Sequence, residues 1–367
     1  MTRTTLVKLA AASLVSAVAC AGGDSKGTKD SAAASAAPTT TTTSAVDLTG
    51  AGATFPYPIY NKWFSDYATK TGVKINYQSI GSGGGIRQIS EGTVDFGASD
   101  APMSDEEIAK AKGGPILHFP TVVGADVITY NVPGVTQPLQ LTGDAIAEIF
   151  LGKITKWNDP RLARLNPTAK LPASDVLVVH RSDGSGTTYV FTDYLTAVSP
   201  AWAAGPGKGK DVKWPVGLGA KGNEGVAGQV KQTPGTIAYV ELAYAKQNNL
   251  PYASVKNASG AFITPSIESL TAAAEGALPK FPPNTDYRVS IVNSPDAKAY
   301  PISSFTWLLV YQRQADPVKG KKLVDFMKWA LSEGEGSAAA LDYAAIPHEL
   351  GTRLLDRLSM IQMGPAS

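Results

Sequence analysis

The chain has 367 residues, 43% of them hydrophobic and 17% charged, with a formal net charge of +2. That is enough apolar material for a large core and a length suited to two domains, and the near-balanced charge excludes a broad basic surface for nucleic acid. One cysteine excludes an intrachain disulfide, and three scattered histidines (His118, His180, His348) without H-x-x-x-H or C-x-x-C spacing argue against metal ligation.

The first residues read as an address. Arg3 and Lys8 precede a run of apolar or small residues that is too short to span a bilayer, and Ala17-Val18-Ala19 leads into Cys20. Residues 1–19 are therefore expected to be a secretory signal. The segment resembles a bacterial lipoprotein signal, with Ala17 where Leu is usual; the resemblance implies lipidation of Cys20 and membrane contact through that anchor only. Residues 21–46 are mostly Ala, Ser, Thr and Gly, too poor in apolar groups to fold. With Cys20 they form an expected flexible tether, with a reach of roughly 25–30 Å. Thr39–Thr43 beside Pro38 has the composition of an O-glycosylated stretch.

From residue 47 strands and helices alternate. A short strand ends at Gly50-Ala51-Gly52-Ala53-Thr54-Phe55-Pro56, with Thr54 expected to cap the next helix, whose Ile59, Trp63, Phe64 and Tyr67 share a stripe. Val73, Ile75 and Tyr77 alternate as a strand, then Gly81-Ser82-Gly83-Gly84-Gly85 opens a helix expected from Ile86. That loop matches neither the nucleotide P-loop nor the dinucleotide spacing. Val94–Ser99 is a strand ending in Asp100, and Ser104-Asp105-Glu106-Glu107 is a capping box. Ile116 to Asn131 is strand-like and carries Phe119-Pro120-Thr121, a candidate crossing between domains. A helix is expected over Thr142–Leu151, then Trp157 and Asn158 in a loop. The Val176–Val179 strand leads to Arg181-Ser182-Asp183-Gly184-Ser185-Gly186-Thr187 and a helix with Val190, Phe191, Tyr194 and Leu195 on one face. Residues 205–225 read as surface loops, 237–239 as a strand with a helix from Glu241, and 255–286 as irregular. Val289–Val292 is an expected strand, Tyr300-Pro301-Ile302 a second crossing, and Phe305–Tyr311 a buried strand. The tail is expected to be helical over 318–331 and 348–361, with a short turn near Ala338.

Alternation with apolar central strands predicts an α/β fold of parallel sheets covered by helices. Three turns, at Thr54, Ser82 and Arg181–Thr187, lie at strand carboxyl ends, where such sheets bind ligands. Each offers helix-start N–H groups and hydroxyls, and Arg181 adds a planar, fixed charge. A polar turn with a capping hydroxyl explains any one of these alone. Their recurrence points to a small oxyanion held in a cleft. Asp100, an acceptor among donors, can accept a hydrogen bond only from a ligand that carries a proton.

These residues, together with Val94–Pro102, Leu151-Gly152-Lys153-Ile154, Lys213–Gly217 and Ala243–Leu250, resemble the phosphate-binding component of bacterial high-affinity phosphate ABC transporters, from about residue 47 to the end. The resemblance implies a two-lobed periplasmic-binding-protein fold of type II, each lobe a mixed sheet flanked by helices. Residues 47–121 plus 301–367 would form one lobe and 122–300 the other. It implies phosphate contacts from Thr54, Phe55, Ser82, Asp100, Arg181, Ser185, Gly186 and Thr187, with Asp183 pairing Arg181. Gly83 departs from the family, where a second serine is frequent. The implied protein is a monomer with no cofactor, periplasmic or on the cell surface, delivering phosphate to the permease subunits of an importer. Competing readings are a phosphatase or serine hydrolase using Ser185, an adhesin or phosphate sensor with the same pocket, and the same fold tuned to another oxyanion. The nearest histidine to Ser185, His180, reads as a packed or edge residue of its strand. The Asp100 acceptor speaks against sulfate and molybdate but not against arsenate.

Overall fold

The computed structural model describes residues 48–282 and 285–364, all within the compact unit that runs from Ala45 to Ser367. The signal, Cys20 and the tether lie outside the described residues. The organising element is an eight-stranded sheet built from β1 (Leu48–Gly52), β2 (Ile75–Ser79), β3 (Phe96–Ser99), β4 (Ile116–Asn131), β5 (Leu177–Arg181), β6 (Leu218–Ala220), β7 (Thr236–Glu241) and β8 (Ser303–Tyr311). Its order is β2-β1-β3-β8-β4-β7-β5-β6.

The sheet is mixed. Both flanks, β2-β1-β3 and β7-β5-β6, are parallel, as alternation with helices requires. The middle is antiparallel, because β8 returns between β3 and β4 and β7 pairs antiparallel with β4. The expectation of parallel sheets thus holds only for the flanks. Strand β4, buried from end to end except for Asn131, changes partner along its length: Ile116–Ala125 pair with β8 and Asp126–Asn131 with β7. At Thr306/Trp307 the β8 register shifts opposite Pro120–Val122. Pro120 has no N–H to give, and a bulge is where a central strand tolerates it.

Helices cover both faces of the sheet. The Tyr57–Thr71 helix buries Ile59, Tyr60, Trp63, Phe64 and Tyr67, and Phe64 meets Phe96 and Phe326 at ring distances of 6.1 and 5.4 Å. It stops at Gly72, whose left-handed φ of 75° lets its N–H reach back to Ala68. The Gly186–Val198 helix buries Val190, Phe191, Tyr194 and Leu195, with Phe191 stacked on Tyr239. The Ser104 capping box is formed.

Several local expectations need correction. Thr54 does not cap the first helix; that position is Pro56, and the Thr54 side chain is used elsewhere. The second helix starts at Ser82 rather than Ile86. Residues 289–292 are not a strand: Tyr287 and Asn293, with φ of 59° and 50°, break the extended path on either side. Residues 255–286 are not wholly irregular, since Ser266 and Ser269 form a capping box for the Ile267–Glu275 helix. Nor are 205–225 all loop; they contain β6 and the start of the Gly222–Gln232 helix.

Candidate functional site

Three strands of the parallel flanks end in turns that meet. After β1 comes Thr54-Phe55, after β2 Gly81-Ser82, and after β5 the Ser182–Thr187 turn. The last two touch directly, with Gly83 N–H donating to the Gly184 carbonyl at 2.8 Å. A Cβ on Gly83 would lie 3.1 Å from Gly184 Cα, so the absence of a side chain there permits the approach. Gly186 is tighter still: a Cβ would sit 2.4 Å from both Asp100 Oδ2 and Ser82 Oγ.

Arg181 is buried, at 3% exposure, and its guanidinium is fixed on two sides. Nε and Nη2 donate to the two oxygens of Asp183 at 2.8 and 2.5 Å, and Nη1 donates to Thr187 Oγ1 at 3.2 Å. Burial alone would favour the neutral forms of both residues. The bidentate pairing outweighs it, keeping Arg181 raised and Asp183 below the usual carboxylate range. Asp183 also accepts from Gly222 N–H. Ser185 is the N-cap of its helix, accepting from Thr188 N–H at 3.0 Å. The N–H groups of Gly186 and Thr187 open the same helix, where no intrahelical acceptor exists. Phe55 is fully buried, with its carbonyl accepting from Tyr343 Oη at 2.7 Å.

Asp100 is 1% exposed. Thr306 Oγ1 donates to Oδ1 at 2.8 Å, Ser82 Oγ lies 3.5 Å from Oδ2, and the Asp100 N–H donates to Ser82 Oγ at 3.2 Å. Burial pushes the carboxyl up to about 7, against the opposing pull of Thr306, Arg181 and Ser82. A cavity of about 180 Å³ lined in part by Tyr189, Lys208, Arg288 and Trp307 reaches it.

Asn223, which the sequence pattern concealed, ties the cluster together. Fully buried, it donates from Nδ2 to Thr54 Oγ1 at 2.8 Å and to Thr187 Oγ1 at 3.0 Å, while Oδ1 accepts from Glu241 N–H. Tyr244 Oη donates to the Thr54 carbonyl, and Tyr239 Oη accepts from the Arg181 N–H. A usable signal existed: Gly222-Asn223 precedes Val226, Ala227 and Val230 at helical spacing. Thr54, Ser82, Asp100, Arg181, Gly186 and Thr187 are thus one buried cluster of donors around one carboxyl, with Phe55 and Ser185 adjoining it in sequence. His180 stacks on Trp214 at 4.6 Å, its Nδ1 beside the Arg181 carbonyl, packed at the strand as expected. Among the described residues no group of three or more His, Cys, Asp or Glu could hold a metal, and no helix is long and apolar enough to cross a membrane.

The sequence profile of the PBP superfamily domain matches residues 33–334. The phosphate-binding protein PstS of Pasteurella multocida is 48% identical over 307 residues, covering 83% of this chain and 88% of its own. That of Haemophilus influenzae is also 48% identical, covering 83% and 90%. A PstS of Methanocaldococcus jannaschii is 39% identical over 87% of each chain. Among solved structures, a high-affinity periplasmic phosphate-binding protein (PfluDING) bound with phosphate superposes with a TM-score of 0.67 at 21% identity, covering 84% of this chain and 93% of that one. A phosphate-binding protein from Stenotrophomonas maltophilia gives 0.66 at 20%, covering 85% and 94%. These likenesses show the α/β fold of the PBP superfamily.

Proposed function

The chain belongs to the PstS phosphate-binding proteins of the PBP superfamily, and from that premise we propose that it binds inorganic phosphate in the Arg181–Asp100 cluster and hands it to an ABC-type importer. The observation that carries this reading is the donor set gathered around the buried Asp100 carboxyl. Arg181 Nη1, the hydroxyls of Thr54, Ser82, Ser185 and Thr187, and the N–H groups of Phe55, Gly186 and Thr187 suit a dehydrated anion. Charge-assisted hydrogen bonds contribute roughly 1.5–3 kcal/mol each, so several outweigh the entropy of association. Asp183 holds the guanidinium flat and offsets part of its charge, while Asp100 accepts the proton that phosphate carries and sulfate lacks. A site whose buried polar group is left unpaired rejects the wrong ligand by about 10⁴-fold or more.

In this reading residues 47–121 and 301–367 form one lobe and 122–300 the other, and the described conformation is the closed one. Bonds that link them support it: Asn223 and Tyr244 to Thr54, Gly83 to Gly184, and the ion pairs Lys210–Glu107 and Lys246–Asp342. The protein is a monomeric binding protein and not an enzyme: Ser185 spends its oxygen on capping, and His180 is stacked on Trp214. It acts in the periplasm or on the cell surface, anchored through a lipid on Cys20. Mass spectrometry of the membrane-extracted protein tests the anchor; an unmodified Cys20 or a cleavage elsewhere contradicts it. Calorimetric titration with phosphate tests the function, and a folded protein that gives no heat with phosphate refutes it.

A further inference from the structure

Asp126 lies where β4 leaves β8 and joins β7, directly opposite Glu241 in the antiparallel register. It is fully buried, and neither carboxyl oxygen has a hydrogen-bond partner. Residues opposite each other on antiparallel strands share a face, as do alternate residues along each strand. The face that carries Asp126 therefore also carries Gly124, Tyr239 and Glu241. Gly124 abuts Phe55, since a Cβ there would lie 2.5 Å from the Phe55 ring. Tyr239 reaches the backbone of Arg181 and the hydroxyl of Thr188. Asp126 thus stands on the sheet floor beneath the anion cluster.

Its charged and titratable neighbours come from every element around it. Asp100 after β3 and Glu241 on β7 oppose a charge on it, and Arg181 on β5 favours one. Tyr239 and Tyr300 in turn feel its charge. Burial, the largest influence, and the two acids prevail, so Asp126 is held well above the usual carboxylate range. As an acid it has one O–H to donate and finds no acceptor among the described residues. A buried polar group of this kind calls for a partner.

We propose that Asp126 is a specificity-determining residue of the anion site, whose buried, unpartnered carboxyl donates a hydrogen bond to the bound anion while Asp100 accepts one. This rests on the phosphate reading above. The two carboxyls then read complementary features: Asp100 requires a ligand oxygen that bears a proton, and Asp126 one that does not. Once ionised, Asp126 faces the anion with a like charge.

The experiment is phosphate calorimetry on the full mature protein between pH 6 and 9, comparing wild type, Asp126→Asn and Asp126→Val, with melting curves of the phosphate-free forms. Asp126→Asn keeps a donor and cannot ionise. It is expected to bind within about threefold of wild type at every pH in this range, because the donor is kept. Asp126→Val has no donor and is expected to bind phosphate about 10-fold or more weakly, without loss of melting temperature, because removing an unpaired buried carboxyl does not destabilise. A purely packing role would move the melting curves and leave the phosphate affinity of Asp126→Val unchanged. Both variants matching a tightly binding wild type at every pH would overturn the inference alone. Should Asp126→Val fail to fold, Asp126→Ala, equally without a donor, takes its place. A wild type that binds no phosphate would overturn the functional reading, and this inference with it.

Discussion

Lowering the pH should let sulfate into the site, by an amount the Asp100 environment sets. In the closed site the Asp100 carboxyl is raised from 3.8 to about 7. Holding it charged there without a partner therefore costs on the order of 4 kcal/mol, at 1.4 kcal/mol per pH unit. Phosphate offsets that cost by donating its own proton to the carboxylate. Sulfate has no proton at these pH values, so it must either leave the carboxylate unpaired or have Asp100 take a proton from solvent. Opening the cleft rehydrates Asp100 and returns it toward its ordinary range, so at pH 7 proton uptake also costs about 4 kcal/mol, roughly 10³-fold in affinity. Each unit of acidification below pH 7 removes about tenfold of that penalty, until the open-state value near 4 is reached. Sulfate should thus bind about 100-fold more tightly at pH 5 than at pH 7, taking up about one proton per anion. Calorimetry in buffers of different ionisation enthalpy measures both quantities. In Asp100→Asn the sulfate affinity should be higher at pH 7 and flat with pH, and phosphate weaker by about 10- to 100-fold. A sulfate affinity that is flat from pH 7 to 5 in the wild type, with no proton uptake, would refute the reasoning.

The phosphate-free protein should be more stable at pH 5 than at pH 8. Asp100, Asp126 and Glu241 are all raised in the fold, so their contribution is full below about pH 4 and is lost as the pH rises through the folded values; His118, pushed down to about 3 by burial, offsets part of this as the pH falls below its ordinary value near 6.5, and Asp183, lowered, does so only on strong acidification. Denaturant titrations across that range check the sign. Gly186→Ala should leave the protein folded and weaken phosphate by about 10- to 100-fold, because its Cβ would meet Asp100 and Ser82 at 2.4 Å. Asn223→Ala should cost a similar factor, since it unties Thr54 from Thr187 and strands the Glu241 N–H; unchanged affinity would remove Asn223 from the site. Lys210→Met should raise the phosphate dissociation rate less than about fivefold, with the difference vanishing in high salt, because its pair with Glu107 is partly exposed.

Much of the fold was legible because its signals are local. The amphipathic stripe of the first helix, the capping box at Ser104 and the near-continuous apolar run of β8 each follow from a few adjacent residues. What stayed hidden depends on distant partners. Nothing near β8 in sequence says that it inserts antiparallel between β3 and β4, yet that insertion places Thr306 on Asp100. The four residues Ser82–Gly85 read as loop because glycine is a poor helix former, but in the structure they are the first turn of a helix whose N–H groups serve the cluster. Asn223 sits beyond a Gly- and Lys-rich stretch whose composition reads as surface, although the side chain is fully buried. The donor turns themselves, Thr54, Ser82 and Arg181–Thr187, could be picked out because strand, turn and helix start repeat three times. Asp126 could not, since within a buried strand a lone acid gives no sign of which face it occupies.

The most direct measurement is calorimetric titration of the purified protein, unfolded and refolded to shed carried-over anion, with phosphate and then sulfate at pH 8. Tight one-to-one binding of phosphate with sulfate weaker by three orders of magnitude or more is the expected result, set by the buried Asp100 acceptor. A well-folded protein that binds neither anion, or binds both equally, would contradict it.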